Sequence, residues 1–304
     1  QLLFQKASYE EAVLVLRKAV SLDPNLDVAY FTLGKALGNL GRGIEADAAY
    51  EKSFELSPAR KLMAQGLASH REGKFKEAEQ VYRKIIEQDP DNVDVLRLLG
   101  LVVFVSNREY EAEKYLRKAL SLAPDFVDAL IDLGNVYKEG HRLEEAIECF
   151  KKAIAINPGA VKAHFLLGST LAPASLTIDA IQAYRSALEL KPDHTGAYLG
   201  LGHVLKTVGD LDEAIAAYRK CIELNPDNGE AYWSLSNLKT YKFDDADIDE
   251  MQKRVQNPDL EEKSKVGFSF TLAKAFEDKE DYETAWKFYE NGNAVRRATE
   301  KYDP

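Results

Sequence analysis

The sequence predicts an all-α solenoid of stacked helix hairpins, and three regularities carry that prediction. Prolines recur at Pro24, Pro58, Pro90, Pro124, Pro158, Pro192 and Pro226, at intervals of 34, 32, 34, 34, 34 and 34 residues. Gly34, Gly66, Gly100, Gly134, Gly168 and Gly202 run in phase with them. Twelve residues after each glycine come Ala46, Ala78, Ala112, Ala146, Ala180 and Ala214. A fixed interval of this length marks one supersecondary unit that buries its apolar face only by stacking on the next.

Each part of the unit has a physical reason. In the unit from Asp27 through Arg60, Tyr30 and Leu33 precede Gly34, as Leu96 and Leu99, Leu130 and Leu133, and Tyr198 and Leu201 precede later glycines. That is the i, i+3/i+4 spacing of a buried helical face. The glycine and the alanine are small, so the pair is expected to mark where two antiparallel helices cross closely. Tyr50, Tyr82, Leu116, Phe150, Tyr184 and Tyr218 follow four residues after the alanine and complete the core between repeats. Gly41, Gly73, Asn107 and Gly209 end first helices, where a left-handed residue is least costly as Gly or Asn. The prolines stop the second helices. Ser8 with Glu11, and Asp210 with Glu213, have the spacing of capping boxes.

Three irregularities stand out. The unit ending at Pro90 is two residues short, so the turn before it is expected to be tightened. Pro173, preceded by Ala172, should shorten or kink a first helix. After Lys239 the phase reads as broken: Asp244 to Val255 is an acidic amphipathic helix, followed by Asn257-Pro258. A last hairpin then returns with Leu272, Ala273, Phe276, Tyr282, Ala285, Trp286 and Tyr289. The chain divides into a partial repeat (1–26), six consecutive repeats (27–228) and a divergent helical capping region (229–304).

Composition removes several function classes. The formal net charge of -10 over 304 residues argues against a nucleic-acid tracker and against an anionic membrane surface. The longest apolar run, Leu98 to Val105, is too short to span a bilayer. Cys149 and Cys221 form no CxxC pair, which fits a reducing, cytoplasmic setting. The five histidines are scattered, with no H-E-x-x-H or Cys/His cluster and no phosphate-binding loop. His164 reads as a packed core residue, and His70 and His203 as residues of a concave face. The expectation is a chain with no catalytic group, no metal and no cofactor of its own.

The in-phase Gly, Ala and Pro resemble the tetratricopeptide repeat. The resemblance implies a right-handed superhelix whose first helices line a concave groove. The fifth position of each unit then reads Phe31, Met63, Arg97, Ile131, Phe165, Leu199 and Trp233. The ninth reads Lys35, Leu67, Leu101, Asn135, Ser169, His203 and Asn237. Two readings of the fifth row stand side by side. In one it is an apolar trough, with Arg97 and Lys35 as polar anchors, that binds a protein or peptide. In the other it packs between neighbouring first helices. The candidate partner-binding residues are Phe31, Lys35, Arg97, Ile131, Asn135, Phe165, Leu199, His203, Trp233 and Asn237. The groove lacks the Lys/Asn carboxylate clamp of chaperone-binding relatives and the asparagine ladder of O-GlcNAc transferases.

The closing segment is more distinctive. Tyr232-Trp233-Ser234-Leu235-Ser236-Asn237-Leu238-Lys239, the acidic helix, Glu290-Asn291-Gly292-Asn293-Ala294-Val295-Arg296-Arg297 and Tyr302-Asp303 resemble the end of the array in bacterial tetratricopeptide-repeat sulfotransferases. The resemblance implies a parent enzyme that uses 3′-phosphoadenylyl sulfate (PAPS), with its donor loop expected beyond Pro304. No donor-binding or catalytic residue of that family has a counterpart in this chain. The expected function is a protein-interaction scaffold, the acceptor-recruiting amino-terminal part of such an enzyme. The alternative is a stand-alone adaptor or assembly scaffold.

Overall fold

The computed structural model describes residues 2–238 and 240–299. Lys239 and the Tyr302-Asp303 pair of the closing motif lie outside the described residues. Among the described residues there are 17 α-helices and no strand. They are α1 (Leu2–Leu22), α2 (Asp27–Asn39), α3 (Gly43–Leu56), α4 (Pro58–Arg71), α5 (Phe75–Gln88), α6 (Val93–Val105), α7 (Glu109–Leu122) and α8 (Val127–Glu139). There follow α9 (Leu143–Ile156), α10 (Val161–Leu171), α11 (Thr177–Leu190), α12 (Thr195–Val208), α13 (Leu211–Leu224), α14 (Gly229–Ser236), α15 (Asp245–Val255), α16 (Glu262–Asp278) and α17 (Tyr282–Thr299). The chain forms two compact units, Gln1–Val136 and Tyr137–Pro304, and the boundary falls inside α8.

Within each unit, consecutive helices pack as hairpins: α2 on α3, α4 on α5 and α6 on α7 in the first, and α10 on α11, α12 on α13 and α16 on α17 in the second. The hairpin contact differs from the expected Gly-on-Ala crossing. The glycine of the first helix receives the large side chain four residues beyond the alanine. A Cβ on Gly66 would lie 2.6 Å from a ring carbon of Tyr82, and one on Gly202 would lie 2.6 Å from the Tyr218 ring. Gly34 meets Tyr50, Gly168 meets Tyr184, and Gly100 meets Leu116 in the same way. The alanines, each buried, leave room for that side chain to lie flat on the first helix. Tyr184 is held from both sides, because Gly200 of the next hairpin also approaches within what would be 2.5 Å.

The turns follow from their residues. Gly41, Gly73 and Gly209 have φ of 73°, 73° and 88°, and Asn107 has 58°. His141, Ser175 and Glu280 take the same conformation with a Cβ. The shortened unit loses its residues at the turn before α4, which is reduced to Ser57 alone between α3 and α4. Ser57 caps α4 by accepting from the Arg60 N–H at 3.4 Å, and Pro58 occupies the first turn rather than ending a helix. α10 stops at Leu171, just before Ala172-Pro173. Asp210 accepts from the Glu213 N–H at 3.3 Å at the start of α13.

A further expectation is corrected. Ser8 does not start a helix: α1 runs through it from Leu2, because Leu2 to Ala7 is made mostly of strong helix formers and nothing there ends the helix. After Lys239 the hairpin pairing does break, since α14 packs on α16 rather than on α15, but one long-range contact keeps its step. Arg17 bonds Glu45, Arg83 bonds Glu111, and Arg185 bonds Glu213, each from one second helix to the next across 28 residues. Arg219 makes the same step to Asp247 of α15, with contacts of 2.8 and 2.7 Å. The acidic helix is capped by Asp244 and buries Ile248 and Met251, and it packs on α16 rather than on α14. Next to it α14 and α16 cross backbone to backbone: a Cβ on Gly267 would lie 2.5 Å from the Gly229 carbonyl oxygen.

Two substitutions test the glycine seat. Alanine is the better helix former by about 1 kcal/mol, so Gly38→Ala, which meets nothing within 4 Å, should stabilise by roughly that amount. Gly202→Ala should destabilise by about 1–2 kcal/mol, because overpacking outweighs propensity. Denaturant midpoints measure both, and a raised midpoint for Gly202→Ala would contradict the seat.

Candidate functional site

The ten candidate residues divide evenly between the units. In the first unit, Phe31 is half-buried, edge-on to Tyr50 at 5.4 Å. The Lys35 ammonium sits 5.1 Å and the Arg60 guanidinium 5.0 Å from its ring centre. Lys35 is exposed. A cleft of about 970 Å³ opens here, lined by Phe31, Tyr50, Phe54, Met63, Leu67 and Arg71 among others. Tyr50 is only half-buried, whereas Tyr82 and Tyr218 at the same repeat position are fully buried. The cleft adjoins the turn shortened to Ser57, which also lines it.

Further along the same unit the rows are less available. Arg97 donates to Asp132 at 2.8 Å and lies 5.6 Å from the Phe126 ring centre. Asp132 is buried, so Arg97 serves an internal ion pair before it serves a partner. Ile131 is itself buried, in keeping with packing between helices. Asn135 is half-buried.

In the second unit, Phe165, Leu199 and Trp233 are all half-buried on α10, α12 and α14. Phe165 stands 4.7 Å from the His194 ring, whose Nδ1 accepts from the Ala197 N–H and caps α12. Trp233 lies 5.6 Å from Phe270 of α16, a groove aromatic that the sequence reading passed over. Phe270 follows a six-residue α15–α16 turn that shifts its count, which is why a fixed period misses it. Asn237 is exposed and donates back to the Trp233 carbonyl at 2.8 Å.

His203 is the most connected candidate. Its Nδ1 lies 2.9 Å from the Tyr218 hydroxyl, and its Nε2 lies 3.5 Å from Glu230. Lys263 of α16 donates to the other Glu230 oxygen at 2.8 Å. Hydrogen bonds from His203 and Lys263 hold the Glu230 carboxyl down at about 2. Burial pushes the Tyr218 and Tyr184 phenols up to about 12. These phenols are structural side chains seated on glycines and lack the exposure that acid–base work requires.

The other histidines are placed individually. His70 is 3.5 Å from the Tyr82 hydroxyl, with its pKa lowered by burial. His164 is half-buried rather than a core residue, with its Nε2 2.9 Å from the Pro158 carbonyl oxygen. Among the described residues, no group of three His, Cys, Asp or Glu side chains could hold a metal ion. No described helix is long and apolar enough to cross a membrane.

Comparison with known proteins agrees with this geometry. Models of the tetratricopeptide repeat match residues 195–228, 31–93 and 63–125, and a TPR-repeat model matches residues 1–41 and 134–172. The small glutamine-rich tetratricopeptide repeat-containing protein 2 of Mycosarcoma maydis is 35% identical over 68 residues, 22% of this chain and 19% of that protein. The chain thus spans about a fifth of the length of the curated relative it matches. Among solved structures, MamA (41 to its end) from Desulfovibrio magneticus RS-1 is 20% identical with a TM-score of 0.52, covering 56% of this chain and 96% of that one. The APC/C hetero-tetramer Cut9–Hcn1 is 17% identical with a TM-score of 0.64, covering 75% and 46%. Both structural likenesses show the fold alone.

The Glu230 bridge predicts an acid-side effect. A depressed carboxyl stabilises the fold above its unfolded pKa and loses that stability as pH falls toward the folded value. With its side chain 40% exposed, Glu230 should contribute only about 1 kcal/mol after solvent screening. Wild type and Glu230→Gln should differ by that amount above about pH 5 and converge near pH 2, as read from denaturant midpoints across pH. A gap that widens on acidification would contradict the bridge.

Proposed function

We propose, from the premise that the chain is a tetratricopeptide-repeat array, that its first helices hold a polypeptide. The observation that carries the reading is the half-buried row Phe165, Leu199 and Trp233, presented at one repeat position on three successive first helices. Aromatic anchors of this kind tend to dominate binding energy, and rows of them suit a peptide or a partner helix. In the first unit Phe31 and Lys35, beside the cleft, offer a second place of the same chemistry.

The proposal has a finer form. The chain recruits or orients the acceptor of a bacterial sulfotransferase, in the cytoplasm, and residues 229–304 support this by their resemblance to the closing segment of that family. Cys149 and Cys221 are both buried and neither forms a disulfide, which suits a reducing setting. The family's donor is 3′-phosphoadenylyl sulfate. Donor chemistry, in this proposal, belongs to a downstream domain. A stand-alone adaptor is the second reading, favoured by the same groove without reference to the closing segment.

The groove is tested with the double variant Phe165→Ala/Trp233→Ala, checked for native helicity. Calorimetric titration with a captured partner should show affinity weakened by about 1–3 kcal/mol, and an unchanged affinity would defeat the groove reading. Donor nucleotide added to the 1–304 chain should give no binding heat. A strand and phosphate loop encoded after Pro304 would favour the enzyme arm over the adaptor.

A further inference from the structure

We infer that the chain pairs with a second copy of itself through α1, helix against antiparallel helix, about a twofold axis that passes between Leu14 and Val15. α1 stands in a second-helix place, with Ala12 in phase with Ala46. The surface is therefore separate from the groove of the first helices, and the inference does not rest on the groove reading.

The helix has two opposite faces. Tyr9, Val13 and Leu16 pack toward α2, where Val13 is buried in one cluster with Leu33, Ala36 and Leu37. Glu11, Leu14, Val15, Lys18 and Leu22 follow each other down the other side at helical spacing, and all five are exposed. Leu14 is 70%, Val15 69% and Leu22 78% exposed. A solenoid stays soluble by ending on a polar outer face, and this stripe departs from that rule. Leu14 stands where the later second helices carry Ala48, Gln80, Lys114, Glu148, Gln182 and Ala216. Val15 stands where Ala49, Ala183 and Ala217 are buried. A contiguous apolar stripe left in water marks a contact surface.

The charges on the stripe select its occupant. Glu11 lies as far before Leu14 as Lys18 lies after Val15. Among the described residues neither Glu11 nor Lys18 has an ion-pair partner. An axis between Leu14 and Val15 sets Leu14 of one copy against Val15 of the other, and Glu11 against Lys18. Because a twofold contact repeats every pair, two Glu–Lys pairs bracket one apolar centre. Parallel pairing fails, since it sets Glu11 against Glu11 and Lys18 against Lys18. An antiparallel axis placed at Glu11 or at Lys18 fails for the same reason, because like charges would meet across it. The 21-residue helix is about 30 Å long. One such helix pair lies at the small end of specific interfaces, so the dimer is a weak one.

Sedimentation velocity of the full chain tests the pairing. Between about 1 and about 200 µM, monomer should convert to dimer and to nothing larger, because a twofold contact closes on itself. Leu14→Glu/Val15→Glu changes two exposed side chains, and with native helicity confirmed by circular dichroism it should stay monomeric throughout. In about 50 mM salt, Lys18→Glu should raise the dissociation constant about tenfold. Glu11→Lys/Lys18→Glu should restore it, because the double exchange rebuilds both pairs in the reverse sense. A chain that stays monomeric overturns the inference, whatever other molecule proves to cover α1. A dimer that survives Leu14→Glu/Val15→Glu overturns the surface. A dimer indifferent to Lys18→Glu, or not rescued by the double exchange, overturns the register, and assemblies that keep growing with concentration overturn the twofold axis.

Discussion

Five hairpins of this protein depend on a glycine of the first helix accepting a large side chain of the second. Without a Cβ at Gly66 or Gly202, the Tyr82 or Tyr218 ring lies directly on backbone and is fully buried. That contact fixes how far the two helices are turned about their axes. It thereby decides which residues of the first helix face inward to the core and which face the groove. Tyr184, held between Gly168 and Gly200, carries the same constraint into the neighbouring hairpin. Presentation of Phe165 and Leu199 at one level follows from this shared register.

A second set of contacts aligns the outer helices. The Arg-to-acid steps across 28 residues are partly exposed, so each contributes at most about 1 kcal/mol. Their use is positional: a slipped hairpin would place the arginine beside the wrong residue. Arg219 and Asp247 extend the same step to α15, although its sequence has lost the small and aromatic residues of the repeat. In the closing region the aromatic seat is replaced by the direct Gly229–Gly267 backbone contact.

The period, the helix ends and the buried rows were legible in the sequence because each rests on local chemistry. Asn107 and Gly209 announce left-handed turns, and Pro173 announces a shortened helix. The partner of each glycine was misassigned to alanine, since spacing along the chain does not say which of two facing residues is nearer in space. The ion-pair step to α15 is not legible, because a long-range contact leaves no mark in the spacing of Gly and Ala. Among groove residues, position alone left Arg97 and Ile131 open between a trough and packing between helices. Only the packing shows Arg97 turned to Asp132 and Ile131 covered.

If each hairpin is held by its own seat and its immediate neighbours, stability must vary along the chain. Native-state hydrogen exchange resolved by residue tests this most directly. The account predicts strongest protection in the interior helices carrying Tyr82, Leu116, Tyr184 and Tyr218, weaker protection at the α10–α11 turn, and fraying in α1 and α17. Uniform protection from α1 to α17, with all helices opening in a single event, would contradict it.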